Sequence, residues 1–317
     1  MIRTVEPAEA AVALRAGGLA VVPTETVYGL AADAMNPDAV ARIYAVKGRP
    51  SFNPLICHVA DVAMAERLGV LNAHARALAE AVWPGPLTVV VPLRDGVGLA
   101  PAVTAGLRTV GLRRPVGPLA EIAAMIDRPI AAPSANVSGA VSATAEKHLA
   151  ALLPRLDPER DVLVRGGGGA IGLESTIVGL DCEGARLLRA GGVARGAIER
   201  LLGEPLLAPG EGIAAPGMMA SHYAPEGTVR LDACSVEPDE FLIAFGPDRV
   251  PGTPMGTFVL SGDGDLDEAA RHLFDALHAA NRAGARRIAV EPIPREGIGE
   301  AINDRLARAA APREEGG

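Results

Sequence analysis

Four polar side chains with chemistry suited to anions lie close together in the segment KGRPSFNPLICHV, residues 47–59. They are Lys47, Arg49, Asn53 and His58, and the two prolines among them predict a stiff, extended loop instead of a helix. Such a loop can direct both cations at one anion, because arginine forks onto two oxygens while lysine acts as a point charge. A nucleotide phosphate is an anion of this kind. The alternative is a pair of solvated surface cations.

Hydroxyl groups follow the predicted strand at 18–22, in the segment PTETVYGL (23–30). Thr24 and Thr26 would then lie at the carboxyl end of that strand, which is where open α/β sheets bind ligands. A plain β-turn with capping threonines is the alternative.

A second run of small polar groups is APSANVSG (132–139), which follows another predicted strand. Ser134 and Asn136 alternate within it, and Ser142 lies near the start of the next predicted helix. Small hydroxyl and amide groups beside backbone N–H groups at a helix N-terminus form an anion site. The alternative is a turn that only caps the helix.

The glycine-rich segment RGGGGAIGLESTIVGL (165–180) contains the spacing GxGxxG at Gly167, Gly169 and Gly172. A dinucleotide site requires this spacing to open a helix, whereas the residues that follow read as a strand, so we exclude a nicotinamide dinucleotide site. The glycines are expected to form a tight turn or to let the backbone approach a ligand, with Ser175 at the start of the strand. P-loop, HExxH, GxSxG and EF-hand patterns are missing from the sequence.

The elements that position these groups follow from apolar periodicity. A helix is predicted from Pro37 to Ala45, with Asn36 as N-cap and an end near Lys47 and Gly48. The other predicted helices are 73–82, 118–126 and 143–152, and the predicted strands are 18–22, 86–92, 108–112, 129–132, 161–164 and 175–180. Residues 1–205 are therefore expected to form one mixed α/β domain.

A Pro/Gly-rich linker at 206–226 is expected to separate this domain from a second unit at 227–317, whose tail is expected to fray. Strands are predicted at 241–246, 256–262 and 287–293. The helical stripe from Leu266 to Leu277 lies between the last two strands, and Gly284 is expected to cap it. This order predicts a small, parallel, Rossmann-like α/β sheet.

Composition and charge narrow the class of protein. The 317 residues suffice for about two domains, and 49% hydrophobic with 21% charged residues is typical of a globular chain. The net charge of −8 argues against an overall basic nucleic-acid coat. Three distant cysteines without CxxC spacing predict buried thiols and no zinc site or disulfide framework. Without a long apolar run or a basic N-terminal signal, the protein is expected to be cytoplasmic and not bound to membranes.

Seven segments together resemble the YrdC/YciO family: PTETVYGL, KGRPSFNPL, PGPLTVVVP, GLRRP, APSANVSG, GLESTIVGL and LLRAGG, in that order. The motif SHYAP (221–225) in the linker, followed by a small α/β domain, is similar to the long form of the family's threonylcarbamoyl-AMP synthases. The resemblance implies a twisted mixed sheet around an open cavity. It also implies a nucleotidyltransferase that forms threonylcarbamoyl-AMP and pyrophosphate from L-threonine, bicarbonate or CO2, and ATP.

The resemblance further implies the roles of particular residues. It assigns L-threonine binding to Thr26, His58, Arg113 and Ser175, and ATP binding to Lys47, Arg49, Asn53, Thr109, Ser134, Asn136, Ser142, Arg189 and Tyr223. Lys47 and Arg49 would act in catalysis by neutralising phosphoryl oxygens. Mg²⁺ would be held through the ATP phosphates and not by protein ligands. The linker with Tyr223 would act as a lid over the active site.

The implied product is handed to a tRNA threonylcarbamoyl transferase, with at most a weak contact to tRNA itself. Two other functions stay open at this point. One is an RNA- or nucleotide-binding regulatory protein that makes no adenylate. The other is carbamoyl transfer to another acceptor, as in hydrogenase maturation, which is disfavoured because the sequence contains no acylphosphatase or zinc-finger segment.

Overall fold

The computed structural model describes residues 1–208, 216 and 222–312. Across these residues, ten strands form one large twisted sheet in the order β1-β8-β2-β3-β7-β4-β6-β5-β9-β10. The strands are β1 Arg3–Val5, β2 Ala20–Val22, β3 Gly29–Asp33, β4 Ile56–His58, β5 Leu87–Pro92, β6 Thr109–Arg113, β7 Ile130–Ala131, β8 Val162–Val164, β9 Thr176–Asp181 and β10 Gly184–Arg189.

The sheet is mixed, as the sequence predicts. Strand β4 runs parallel to β6, and β5 runs parallel to β9, whereas β7 pairs antiparallel with both β3 and β4. Helices pack around it: α1 Pro7–Arg15, α2 Pro37–Lys47, α3 Val62–Leu68, α4 Ala73–Val82, α5 Pro101–Thr104, α6 Pro118–Ile126 and α7 Arg195–Leu202. The bounds of α4 and α6 are those predicted.

Helix α2 begins and ends where its sequence indicates. The side chain of Asn36 accepts hydrogen bonds from the amides of Asp38 and Ala39, which would otherwise lack partners. At the other end Gly48 adopts a left-handed conformation with φ of 62°, which glycine reaches without steric cost. Lys47 is therefore held at the last turn of a capped helix, directly before the proline-rich loop.

The prediction of a helix at 143–152 is wrong. The structure has two short 3₁₀ turns in this region, Glu146–Leu149 and Leu153–Arg155. The ring nitrogen Nδ1 of His148 accepts hydrogen bonds from the amides of Thr144 and Ala145, each at 3.3 Å. Pro154 has no amide hydrogen for a continuing helix. Side-chain and tertiary contacts thus replace the regular helical pattern.

The second domain is the predicted parallel α/β unit. Its strands lie in the order β11-β14-β12-β13, and every pair is parallel. They are β11 Thr228–Arg230, β12 Glu240–Ala244, β13 Gly256–Val259 and β14 Arg287–Val290, with α8 Leu266–Arg282 and α9 Gly299–Ala310. Gly284 follows α8 with φ of 67°, as expected for a helix end. The exposed strand β11 lacks an apolar run and was not predicted.

Two main apolar cores meet across the domain boundary. The first lies between the large sheet and its helices. The second is built on α8 and the small sheet, yet it also contains Val27, Val141 and Leu173 from the first domain. Apolar burial therefore joins the two domains through these three side chains.

Two expectations from composition can be compared with the structure. Cys57 is buried as expected, but Cys182 and Cys234 are exposed, so the prediction of buried thiols is wrong for both. Cys182 lies in the turn between β9 and β10, and Cys234 lies in the loop after β11, where the chain runs over the surface. Among the described residues, no helix is long and apolar enough to cross a membrane.

Candidate active site

A cavity of about 600 Å³ lies where several strands of the large sheet end and the second domain begins. Among the described residues, its charged lining consists of three arginines, Arg49, Arg113 and Arg189, and one carboxylate, Glu174. The other lining residues are Thr24, Thr26, Val27, Tyr28, Gly29, Ile56, His58, Leu119, Ala132, Pro133, Ser134, Ser175, Pro216, His222 and Tyr223. The excess of cations makes the cavity suitable for an anionic ligand.

Strand register brings His58 and Arg113 together. They are direct partners on the parallel strands β4 and β6, and each is the last residue of its strand. Register partners on adjacent strands face the same side of a sheet, so both side chains reach the cavity. Burial, together with the positive charge of Arg113, lowers the pKa of His58 to about 3. The imidazole is therefore neutral at pH 7 and can donate or accept a hydrogen bond.

The segment after β2 supplies a hydroxyl and a carboxylate to the same arginine. The Arg113 guanidinium donates to Thr26 Oγ1 at 2.9 Å and lies 2.7 Å from a carboxylate oxygen of Glu25. The hydroxyls of Thr24 and Thr26 are 2.8 Å apart, and Thr24 also donates to the carbonyl of Val27. These bonds hold the predicted loop in a fixed shape, with Thr26 completely buried at the cavity wall.

Ser175 also lines the cavity and lies one residue before β9. Its hydroxyl lies 2.8 Å from Thr88 Oγ1 on the neighbouring strand β5. Arg189, the last residue of β10, donates to the Ser175 carbonyl at 2.9 Å and to its hydroxyl at 3.3 Å. The antiparallel pairing of β9 with β10 thus places a guanidinium beside Ser175. Burial lowers the pKa of Arg189.

Arg49 lies in the loop between α2 and β4, which is not helical, as predicted, but makes a turn closed by a hydrogen bond from the Asn53 amide to the Pro50 carbonyl at 3.1 Å and is therefore not extended. Its guanidinium donates to the side-chain oxygen of Asn53 at 2.6 Å and to the carbonyl of Pro54 at 2.8 Å. Burial lowers its pKa to about 10, so it stays a cation at neutral pH. Asn53 therefore orients Arg49 from behind, and it does not line the cavity in this structure.

Lys47 is turned toward the backbone of the segment that contains Ser134. Its ammonium donates to the carbonyls of Ser134 and Asn136 at 2.6 and 2.5 Å and is almost completely buried. Burial, and secondarily the charge of Arg49, lowers its pKa well below the usual value. The Asn136 side chain in turn accepts from Ser134 Oγ at 2.5 Å. Lys47 and Asn136 thus lie behind Ser134, which is the member of this group that lines the cavity.

The linker contributes Tyr223 and His222 to the cavity. Tyr223 has a φ of 61° and is buried, with its ring 5.6 Å from Phe274 of α8. Pro216 also lines the cavity, and its carbonyl accepts a hydrogen bond from Arg189 at 3.2 Å. The remaining linker residues 209–215 and 217–221 lie outside the described residues, so the predicted lid stays a prediction.

The cavity brings together eight of the thirteen residues predicted for binding and catalysis. They are Thr26, Arg49, His58, Arg113, Ser134, Ser175, Arg189 and Tyr223. Four others do not line the cavity but each contacts a residue that does. Lys47 and Asn136 contact Ser134, Asn53 contacts Arg49, and Ser142 contacts Glu174. Thr109 is placed elsewhere, in a smaller pocket of about 260 Å³ that shares Pro216 with the main cavity.

Sequence reasoning missed Glu174 and His222, which both line the cavity. Each lies inside a segment already singled out: Glu174 directly precedes Ser175 in GLESTIVGL, and His222 directly precedes Tyr223 in SHYAP. A charged or ionisable residue beside a predicted binding residue was therefore the available signal. Glu25 is a third omission with the same signal, since it lies between Thr24 and Thr26 and contacts Arg113.

Among the described residues, no cluster of three or more His, Cys, Asp or Glu side chains is arranged to hold a metal ion. Glu174 is the carboxylate of the cavity lining, and both of its oxygens already accept hydrogen bonds, from Ser142 at 2.6 Å and Arg305 at 2.8 Å. Glu174 is thus already engaged by two donors of the protein.

Comparisons with known proteins show the family to which the chain belongs. Residues 12–191 match the Sua5/YciO/YrdC family model, which is described as "Telomere recombination", and residues 193–311 match the model described as "Threonylcarbamoyl-AMP synthase, C-terminal domain". The threonylcarbamoyl-AMP synthase of Bacillus subtilis is 39% identical over 96% of this chain and 93% of its own length. That of Pyrococcus abyssi is 37% identical over 95% and 92%.

A solved structure covers both domains. The crystal structure of P. abyssi Sua5 complexed with L-threonine has a TM-score of 0.85 at 33% identity and covers 98% of this chain and 97% of that one. The likeness therefore extends over both the large mixed sheet and the small parallel sheet. The chain belongs to the Sua5/YciO/YrdC family, in the two-domain form that carries the Sua5 C-terminal domain.

Proposed function

We propose that this protein is an L-threonylcarbamoyladenylate synthase, which forms threonylcarbamoyl-AMP and pyrophosphate from L-threonine, bicarbonate or CO2, and ATP, for threonylcarbamoyladenosine in tRNA. The observation that carries the proposal is one cavity with three arginines and a neutral histidine, in a chain related over nearly its full length to named synthases. The P. abyssi relative was crystallised with L-threonine.

The proposed L-threonine site is the wall formed by Thr26, His58, Arg113 and Ser175. Arg113 suits the amino-acid carboxylate, because a guanidinium can donate two parallel hydrogen bonds to it. The Thr26 and Ser175 hydroxyls and the neutral His58 imidazole suit the amine and hydroxyl groups of threonine. Arg113 already binds Thr26 and Glu25, so the wall is held in place before the substrate arrives.

The proposed ATP site is the wall formed by Arg49, Ser134, Arg189 and Tyr223. Asn53 supports Arg49 from behind. Lys47 and Asn136 support Ser134 in the same way, and Ser142 and Thr109 complete the predicted set. Arg49 lines the cavity and keeps its proposed catalytic role, because fixed positive charge stabilises the phosphoryl oxygens of a transition state. The same role proposed for Lys47 requires its ammonium to leave the carbonyls of Ser134 and Asn136 and turn toward the cavity.

The proposed reaction needs no protein nucleophile. A carbamate oxygen, formed from the threonine amine and the one-carbon donor, attacks the α-phosphorus of ATP. The bond from that phosphorus to the bridging oxygen breaks, and pyrophosphate leaves with the electron pair. Mg²⁺ held by the triphosphate would supply further charge neutralisation. The protein's contribution is to align the carbamate with the α-phosphate and to present Arg49 and Arg189 to the developing charge.

The proposed organisation is a catalytic domain at 1–205, a linker at 206–226 that acts as a lid, and a C-terminal domain at 227–317. The two sheets and the two apolar cores support this division. The product would pass to a tRNA threonylcarbamoyl transferase, with at most a weak contact to tRNA. Because the product is destined for tRNA, we expect the protein to act in the cytoplasm.

The test is pyrophosphate release from the purified protein with ATP, Mg²⁺ and bicarbonate. L-Threonine should stimulate release, while L-serine, L-valine and no amino acid should stimulate it much less. Lys47→Ala and Arg49→Ala should each abolish the stimulated release. Lys147→Ala is the matched control, because Lys147 pairs with Asp275 at 2.8 Å and does not line the cavity.

Wild-type rates in the Lys47 and Arg49 variants would contradict their assigned roles. If the folded wild-type protein binds ATP but releases no pyrophosphate under any condition, the synthase proposal fails. Retardation of tRNA in a gel would then favour a binding protein, and consumption of carbamoyl phosphate would favour carbamoyl transfer.

A further inference from the structure

A completely buried arginine connects the C-terminal domain to the wall of the cavity. Arg305 lies on α9, and its side chain has no exposed surface. Its Nε donates to the Glu174 carboxylate at 2.8 Å, and a terminal nitrogen donates to the carbonyl of Ala190 at 2.8 Å. The other terminal nitrogen donates to Asp304 at 2.5 Å. One side chain of the second domain thus binds two separate segments of the first.

The first of these segments carries Glu174, which lines the cavity beside Ser175. The carboxylate that receives Arg305 on one oxygen receives the Ser142 hydroxyl on the other, at 2.6 Å. Burial by itself raises the pKa of this carboxyl, but the charges of Arg305 and Arg189 and its two hydrogen bonds hold the pKa at about 2. Glu174 is therefore an anion whose position depends on Arg305.

The second segment carries Ala190, the residue directly after Arg189. Arg305 fixes the Ala190 carbonyl, so it also restrains the neighbouring backbone from which the Arg189 side chain enters the cavity. In addition, the guanidinium carbon of Arg305 lies 5.2 Å from the centre of the Tyr223 ring, a cation–π distance. Arg305 is thus linked to three groups on the proposed ATP side. It is linked to Ser142 through Glu174, it binds the residue that follows Arg189, and it lies beside the ring of Tyr223.

A buried guanidinium is a costly way to fill space, since apolar side chains of similar volume often stabilise a core as well or better. Two of the groups that Arg305 contacts, Glu174 and Tyr223, line the cavity, and a third, Ala190, directly follows the lining residue Arg189. We infer that Arg305 is a positioning residue for the nucleotide half of the active site, through which the C-terminal domain sets Glu174, Arg189 and Tyr223. This inference rests on the proposed function for its assignment of the nucleotide half.

The same helix offers a matched control. Glu300 of α9 accepts hydrogen bonds from Arg195 of α7, the shortest at 2.6 Å, so this ion pair also joins the two domains. Both side chains are about one third exposed, and neither lines the cavity. Arg195→Met therefore removes an arginine from the domain boundary without disturbing Glu174 or Tyr223.

The experiment compares Arg305→Met with Arg195→Met in the full-length protein. In the pyrophosphate assay, Arg305→Met should raise KM for ATP about tenfold or more and lower kcat, with a much smaller change in KM for L-threonine. Arg195→Met should leave all three within about twofold of wild type. Thermal unfolding establishes that each variant is folded, and Arg305→Lys replaces Arg305→Met if the latter is not folded. Lysine keeps the charge but cannot reach all three acceptors. Arg305→Lys should therefore also raise the KM for ATP, but by less than Arg305→Met does.

A double-mutant cycle distinguishes positioning from loss of stability. Glu174→Gln removes the charge that Arg305 balances, so Glu174→Gln/Arg305→Met should raise the KM for ATP by less than the product of the two single effects, and the rise that remains reflects the contacts of Arg305 with Ala190 and Tyr223. The inference would be overturned if Arg305→Met raised the KM for ATP and the KM for L-threonine equally. It would also be overturned if the rise in KM for ATP in the double variant equalled the product of the two single rises.

Binding of a non-hydrolysable ATP analogue, measured by calorimetry, separates this inference from the proposed function. If wild-type protein makes no pyrophosphate yet binds the analogue at least tenfold tighter than Arg305→Met does, only the proposed reaction fails. If wild type is active and Arg305→Met resembles Arg195→Met in every constant, the inference fails and the proposed reaction stands.

Discussion

At the scale of single residues, the cavity cations are oriented by oxygens of the protein itself. Arg113 contacts Thr26 and Glu25, Arg49 contacts Asn53, and Lys47 contacts two backbone carbonyls. Each contact offsets part of the cost of burying a positive charge. The cations are therefore held near their working positions before a ligand binds, which reduces the entropy that binding must overcome.

The planar guanidinium of Arg113, with its paired donors, gives the first prediction at the scale of single residues. Arg113→Lys keeps a positive charge but loses the planar pair of donors, so KM for L-threonine should rise about 10- to 100-fold, the equivalent of losing a charge-assisted hydrogen bond of about 1.5–3 kcal/mol. KM for ATP should change much less. Arg128→Lys is the control, because Arg128 is half exposed and pairs with Asp33. A threonine KM in Arg113→Lys equal to that of the control would contradict the carboxylate assignment.

At the scale of elements, the glycine-rich loop before β9 brings two domains into contact. The sequence suggested that its glycines turn tightly or let backbone approach a ligand. Gly169 and Gly172 have φ of 74° and 81°, which fits the turn. A side chain on Gly172 would approach the Cα of Arg271 in α8 to 2.3 Å. The group that Gly172 approaches is thus the helix of the second domain.

A pair of glycine substitutions tests this contact. Gly172→Ala should lower the free energy of unfolding by about 2 kcal/mol or more, because alanine is strained at this φ and its methyl group collides with helix backbone. Gly167→Ala is the control in the same loop, since nothing lies within 4 Å of a Cβ at Gly167, and a change within about 0.5 kcal/mol is expected. Urea unfolding measures the free energy of unfolding of both variants. Equal losses in the two variants would refute the close contact between Gly172 and α8.

At the scale of the whole molecule, the described residues that line the candidate site come from the first domain and the linker, and the second domain supports them from outside the cavity. Val27, Val141 and Leu173 of the first domain belong to the apolar core of the second, and Arg305 of the second domain binds Glu174 of the first. The linker residues His222 and Tyr223 lie between them at the cavity. The stability of the domain boundary and the shape of the cavity are therefore linked.

Buried histidines make the stability of this assembly depend on pH. Burial, as the largest cause, lowers the pKa of both His58 and His222 to about 3, against 6.5 for an exposed histidine. Below about pH 6.5 the unfolded chain takes up protons that the folded protein does not, so stability should fall as the pH drops from 6.5 toward 4. Each such histidine contributes up to about 1.4 kcal/mol per pH unit.

Urea unfolding at pH 7.5, 6.0 and 5.0 measures how steeply the free energy of unfolding changes with pH. His58→Gln should reduce this pH dependence by the equivalent of about one proton. A slope in His58→Gln that matches wild type would show that His58 takes up its proton in the folded state as well.

Local patterns were sufficient for much of the fold. The bounds of α4 and α6, the caps of α2, and the parallel order of the second domain all follow from apolar spacing, proline and glycine positions and capping side chains, which act over a few residues. The helix predicted at 143–152 failed because ring nitrogen Nδ1 of His148 binds the amides with which such a helix would begin.

The sequence by itself determined the family, the two domains and the segments that hold the site, because motifs are short and contiguous. Only the tertiary structure decided which side chains meet. The pairing of β4 with β6 joins His58 to Arg113, and Lys47 turns behind Ser134 while Thr109 faces a separate pocket. Arg305 contacts Glu174 across 131 positions of sequence. Such contacts depend on strand register and domain packing, which no local pattern encodes.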